Sequence, residues 1–200
     1  MVYQPAQYFS DEGVPFLMGN NVTERGIVWR DAKLIPADVN AKFLHHALRA
    51  GDVVTVRVGA PGVTCVVPKE ADGLNCGSLM IIRRSTGFNS AWLAHVMNSP
   101  VVRQQIDLVQ YGAAQEQINI TDAVNFTIPT PPLDEQRALA EYLAQRTGRL
   151  DALADAVRAT VDKLHEYRQA LITAAVTGKI DVTAPSTGEN ATLAAVEAFL

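Results

Sequence analysis

The chain has 200 residues, 48% of them apolar, with 17 Lys/Arg against 21 Asp/Glu and a formal net charge of −4. That length suits one domain plus an extension, and the acidic balance argues against a protein that coats nucleic acid by bulk charge, while leaving room for a local basic face. No apolar run approaches the roughly 20 residues of a membrane span, and the opening MVYQPAQYFSDEG lacks the basic-then-apolar pattern of a signal peptide, so the expected compartment is the cytoplasm.

To about Thr130 the sequence reads as mixed strand and turn. In GDVVTVRVGAPGVTCVVP (Gly51–Pro68) two β-branched runs, Val53–Val58 and Val63–Val67, flank the turn Gly59–Gly62, which predicts a hairpin. Alternation puts Val54, Val56 and Val58 on one face and Val53, Thr55 and Arg57 on the other. SLMIIRR (Ser78–Arg84) predicts a further strand ending in paired arginines. Residues 89–110 have helical spacing, with Pro100 starting a second helix, and INITDAVNFTIP returns to strand and turn character. Cys65 and Cys76 lie in apolar or turn-like surroundings with no C-x-x-C pair, so they read as free thiols. His45-His46 and His95 have no ligand partners at useful spacing, and no metal or cofactor is expected. Neither G-x-x-x-x-G-K-[ST] nor G-x-G-x-x-G occurs, and GAPG is too short and wrongly flanked to cradle a phosphate.

From Leu133 to about Thr177 the character changes: no proline, one glycine (Gly148), and mostly helix formers. Pro131 and Pro132 suit the start of a helix, Asp134 and Glu135 suit its positive end, and Gly178 suits its exit. Thr147-Gly148 is a point at which it could divide. With position a at Leu143, Leu150, Val157, Leu164 and Leu171, position d falls at Leu139, Arg146, Leu153, Thr160, Tyr167 and Ala174, and only Arg146 and Thr160 are clearly polar. Such spacing over about five heptads predicts a coiled-coil helix. The competing reading is an amphipathic helix packed on its own domain. From Arg149 to Thr177 it would run about 43 Å, more than a head of this size covers, and a second copy of the chain is the simplest partner. The expected fold class is therefore α+β: a mixed strand-and-helix head over 1–132, a helical region over 133–180, and a tail over 181–200.

The segment TPPLDEQRALAEYLAQRTGRLDAL…KLHEYRQALITAAVTGKIDV resembles the helical region of specificity subunits of type I restriction–modification systems. In that family a P-P-L-x-E-Q segment closes a target recognition domain and opens a long helix, and V-T-G-K-I ends it; Pro131, Pro132, Leu133, Glu135, Gln136 and Val176–Ile180 match. GVPFLMGNNV, LRAGDVVTVRVGAPG and YGAAQEQINITDAVNFTIPTPPL are similar to recognition-domain segments in the same order, so the resemblance covers about residues 13–181. The family carries two recognition domains and two antiparallel helices; one of each here implies half a subunit. Some tens of residues usually precede the GVPFL equivalent, against about twelve here.

The resemblance implies a non-catalytic adaptor that reads double-stranded DNA and directs a DNA methyltransferase subunit, and through it a restriction/translocase subunit, to a bipartite site. Two half-subunits paired as a homodimer would read an inverted repeat; 43 Å is about 12–13 base pairs at roughly 3.4 Å each. Direct readout requires Arg for guanine and Asn or Gln for adenine, and phosphate contacts require basic or small polar donors. The candidates on loops and strand ends are Asn20, Asn21, Thr23, Arg25, Arg57, Arg83, Arg84, Tyr111, Gln115, Gln117 and Asn119. The alternative is a coiled-coil interaction protein that assembles with partners without reading DNA.

Overall fold

A computed structural model of the chain describes residues 5–110 and 116–180. The chain divides into a unit that ends at Leu143 and a second that begins at Ala144.

In the first unit, β1 (Val14–Phe16) pairs antiparallel with β4 (Lys33–Ile35), and β2 (Val22–Thr23) with β3 (Gly26–Ile27). A short helix α1 (Ala37–Lys42) follows. The centre is a three-stranded antiparallel sheet in which β5 (Val53–Val56) lies between β6 (Thr64–Val66) and β7 (Leu79–Ile82). The predicted hairpin and third strand are both present, with Val54 opposite Cys65 and Ile81. All four residues of β5 are buried, so the sheet is covered on both faces. Val53 joins a core with Trp92, Leu93, Met97, Val102 and Ile106, whereas Val54 and Val56 join Leu17, Leu48 and Val67. Period-2 alternation explains the split. Thr55, on the helix-covered face, is fully buried because its hydroxyl pairs with that of Thr64 at 2.8 Å. A buried hydroxyl without such a partner would be destabilising by roughly 1–3 kcal/mol.

Two helices cover that face, α2 (Ser90–Met97) and α3 (Pro100–Gln110). The Asn89 side chain caps α2 by accepting from Trp92 N at 2.9 Å, and Pro100 opens α3, as expected.

The expectation of a strand in Ile118–Pro129 is corrected. The Asp122 side chain accepts from Asn119 N at 3.1 Å and opens a short helix, α4 (Ile120–Ala123). Beyond it, the backbone N–H and C=O of Thr127 bond the Gln105 side chain at 2.8 and 2.9 Å instead of a neighbouring strand. Phe126 and Ile128 pack on the Trp92 core.

Helix α5 runs unbroken from Leu133 to Val176. Gly148 lies inside it without interrupting it; one glycine disfavours a helix by about 1 kcal/mol, which the neighbouring helix formers offset. The first turns belong to the first unit. Gln136 there is 1% exposed, accepts from Asn89 N at 2.8 Å and donates to Pro131 O at 2.9 Å. In the second unit the helix ends as expected: Gly178 adopts φ +71° and Lys179 N returns to Ala174 O at 2.9 Å. Leu150, Leu153, Val157 and Leu164 on this stretch are more than half exposed.

Gly13 shows how closely the small sheet is fitted. Its φ is +137°, and a Cβ there would stand 2.1 Å from Ile35 O, in the backbone of β4. Gly13→Ala is expected to lower stability by about 2–4 kcal/mol, read as a fall in urea midpoint with an unchanged slope. An unaltered midpoint would mean that β1 and β4 separate freely.

Candidate nucleic-acid interface

The antiparallel sheet sends its polar residues to two opposite ends. At one end β5 runs out into Arg57, beside the start of β7. Arg57 N donates to Ser78 O at 3.0 Å, its carbonyl accepts from Ile118 N at 3.0 Å, and its Nε donates to Ile118 O at 3.3 Å. Val58 also bridges Gln117. Ile118 is fully buried between Gln117 and Asn119, and it fixes the two flanking residues beside Arg57. Gly19 lies against Val56 and Val58, with space for a Cβ only 3.0 Å from Val56 Cγ1, which puts the exposed Asn20 near the same strand end. Arg57, Gln117, Asn119 and Asn20 are thus brought together, although they come from three distant segments. Arg57 is half-buried, and among the described residues only its Nε is held, so the rest of its planar fork faces other acceptors.

Thr23 and Arg25 sit elsewhere, on the β2–β3 hairpin. Thr23 Oγ1 donates to Gly26 O at 2.9 Å. Arg25 borders a cleft with Cys65, Ala94, His95 and Asn98 beside β6 and α2. His95 there has its pKa lowered by burial. Burial also pushes the thiols of Cys65 and Cys76 up to about 12, which suppresses the thiolate and with it nucleophilic or metal-ligand chemistry at neutral pH. Among the described residues no group of His, Cys, Asp and Glu could hold a metal ion.

The opposite end of the sheet is where β7 runs out into Arg83 and Arg84, beside Asp52 at the start of β5. Asp52 is 1% exposed and gathers three donors: Arg83 Nη1 at 2.6 Å, Arg84 N at 2.9 Å and Arg49 N at 3.1 Å. Arg83 also donates to Ala47 O at 2.9 Å. Arg84 is exposed, and its side chain lies across Gly51. With Arg49 and Arg137 they line an open cleft of about 790 Å³.

Two of the sequence candidates are spoken for by the fold. Asn21 is fully buried; its Oδ1 accepts from Met18 N and its Nδ2 donates to Val28 O, each at 3.0 Å, so it holds the β2–β3 hairpin and cannot touch a ligand in this conformation. Arg83 commits its Nη1 to both Asp52 and Ala47 O and is the more enclosed of the pair, leaving Arg84 as the outward member. Tyr111 and Gln115 lie outside the described residues, as does the tail over 181–200. Arg49 and Arg137 were missed by sequence reasoning. They are isolated in the chain, and only folding brings them to Arg84.

No protein-family model matches the chain. Curated relatives do. The EcoKI specificity subunit of the type I restriction enzyme of Escherichia coli K12 is 25% identical over 186 residues, covering 88% of this chain and 39% of that protein. The MjaVIII specificity subunit of Methanocaldococcus jannaschii is 25% identical over 181 residues, covering 87% and 41%. The StySPI specificity subunit of Salmonella potsdam is 25% identical over 186 residues, covering 88% and 39%. Among solved structures, the HsdS subunit from Thermoanaerobacter tengcongensis superposes with a TM-score of 0.56 at 21% identity, over 82% of this chain and 42% of that one. A chain from a type I R-M system structure reaches 0.60 at 18% identity, over 91% and 45%. The chain is thus similar in sequence to type I restriction enzyme specificity subunits and shares the HsdS fold, and it spans about two-fifths of the length of the curated relatives it matches.

Proposed function

We propose that the chain is a half-length specificity subunit of a type I restriction–modification complex: a non-catalytic, cytoplasmic adaptor whose head reads double-stranded DNA and whose helix holds partners. The carrying observation is the similarity to specificity subunits over 87–88% of the chain, running through both the head and the helix. Convergence of Arg57, Gln117, Asn119 and Asn20 at one end of the sheet supports base readout there, since the Arg fork matches guanine O6/N7 and the amides match adenine. Thr23, Arg25 and Arg84 fit phosphate contacts. The long exposed seam supports pairing with a second copy, and a DNA methyltransferase subunit and a restriction/translocase subunit complete the assembly. On this reading the head is residues 1–132, the spacer 133–180 and the tail 181–200.

Selection of duplexes from a randomised library by the full chain, with and without a methyltransferase subunit, tests the reading. A two-part motif with a fixed gap is expected. Arg57→Ala is expected to relax one position of that motif and to weaken binding to it by about 1–3 kcal/mol, with little change on unrelated duplexes. Assembly with partners but no enriched motif would instead favour a coiled-coil interaction protein that does not read DNA.

A further inference from the structure

The cleft at the Arg84 end of the sheet has a charge that the fold does not explain. Four arginines, Arg49, Arg83, Arg84 and Arg137, line it against one carboxylate, Asp52, whose oxygens are taken up by Arg83 and two backbone N–H groups. Arg137 is steadied by an exposed pair to Asp134 at 2.7 Å, and Arg84 by its seat on Gly51. Arg49 and Arg84 point no guanidinium at any carboxylate among the described residues. The wall also includes Ser90 and Ala91 at the start of α2 and Leu133 at the start of α5. Those are the positive ends of two helices, where further cations are unfavourable unless an anion is present. Such a clustering of cations, in a chain of net charge −4, is electrostatically unfavourable unless an anion joins it.

We propose that this cleft is a sequence-independent phosphate clamp, in which Arg49, Arg84 and Arg137 hold a phosphodiester of the duplex while the Arg57 end reads bases. Planar guanidinium forks match two phosphate oxygens at once, and the partial fixation of Arg137 by Asp134 and of Arg84 by its seat on Gly51 lowers the entropy lost on binding. The six residue steps from Gly51 to Arg57 span about 20 Å at roughly 3.3 Å each. That is about six base steps at 3.4 Å per step, a separation one bound duplex can satisfy. The inference rests on the DNA-reading function proposed above and adds Arg49 and Arg137 to it.

The test is the salt dependence of duplex binding by the full chain, compared with R49Q/R84Q and R49K/R84K, on a library-selected duplex and on a scrambled one. Losing two phosphate contacts should flatten the slope of log K against log salt by about 1.8. R49Q/R84Q should weaken both duplexes by the same factor, about tenfold at 0.15 M salt, and the lysine variant should retain most of the slope. Wild-type slope in R49Q/R84Q, with DNA still bound, overturns the clamp and leaves the reading function standing. A wild type that binds no duplex overturns both. Polyglutamate that displaces the duplex from wild type at equal charge concentration, and fails to do so from R49K/R84K, also overturns the phosphate assignment, in favour of an acidic protein partner.

Discussion

The double substitution Val157→Asp, Leu164→Asp is expected to halve the solution mass measured by light scattering. Both residues occupy position a of the heptad, and both are more than half exposed in the single chain, at 55% and 62%. Their substitution therefore removes nothing that holds the chain's own fold. Aspartate lowers helix propensity by only about 0.5 kcal/mol per site, so helicity at high protein concentration reports whether the helix itself survives. In a pair of chains, four buried side chains would be lost at about 1.5–3 kcal/mol each, before any repulsion among the four new charges. A sum of about 6–12 kcal/mol is a factor of 10⁴ or more in dissociation constant, since about 1.4 kcal/mol is tenfold; a micromolar dimer would not survive it. A wild type already of single-chain mass would remove the symmetric pairing. It would leave the seam of Leu139, Leu143, Leu150, Leu153, Val157, Leu164, Tyr167 and Leu171 for a different partner, a methyltransferase subunit or another specificity chain.

The parts of the fold that local chemistry decides were legible in the sequence. Two β-branched runs around GAPG gave the β5–β6 hairpin, Pro100 separated α2 from α3, and the proline pair and Gly178 bracketed α5. The parts that depend on distant partners were not. Thr127 looks like a strand residue because it is β-branched and lies between Phe126 and Ile128, but its backbone hydrogen bonds go to Gln105, 22 positions earlier. Asn21 looks like an available amide in a turn, and only the return of the chain through Val28 and Arg30 shows that its side chain is already used. Gly148 resembles a helix break because a single glycine carries the cost of its own flexibility, while the gain from its many helix-forming neighbours is spread along the sequence. Of the arginine cleft only the Arg83-Arg84 pair had a local signal; Arg49 and Arg137 join it through the fold. Of the candidate DNA contacts, the chemistry of each side chain could be read directly. The separation of Arg57 from Arg83 and Arg84 to opposite ends of one sheet follows from the antiparallel register of β5 and β7, in which Val53 lies opposite Ile82 and Val56 opposite Leu79.

Asp52→Ala should be the most destabilising single substitution at the Arg84 end of the sheet, and it should also tighten non-specific DNA binding. The carboxylate ties together the turn before β5 and the strand end after β7 through Arg49 N, Arg84 N and Arg83 Nη1. Its removal leaves two backbone donors without that acceptor and takes from the Arg83 guanidinium its charged partner, while the bond to Ala47 O stays. A broken buried pair is destabilising by about 3–5 kcal/mol, but the Arg83 side chain is 38% exposed, so solvent recovers part of that term. About 3 kcal/mol remains, or a fall of roughly 10 °C in Tm for a unit of this size. Arg83→Met separates the contributions: the double variant with Asp52→Ala should melt higher than the sum of the two single losses predicts, because each removes the same ion pair. On the DNA side, Asp52 is the one carboxylate among the described residues that line the arginine cleft. Without it the lining changes from four cations and one anion to four cations, and Arg83 is released toward the cleft. At a temperature where the variant remains folded, its affinity for a scrambled duplex should therefore rise severalfold and its salt slope steepen by up to about one. A Tm within a degree of wild type would show that Asp52 does not hold the sheet end. A weaker, flatter salt response in a folded variant would show that the cleft acts through the geometry Asp52 imposes rather than through its charge.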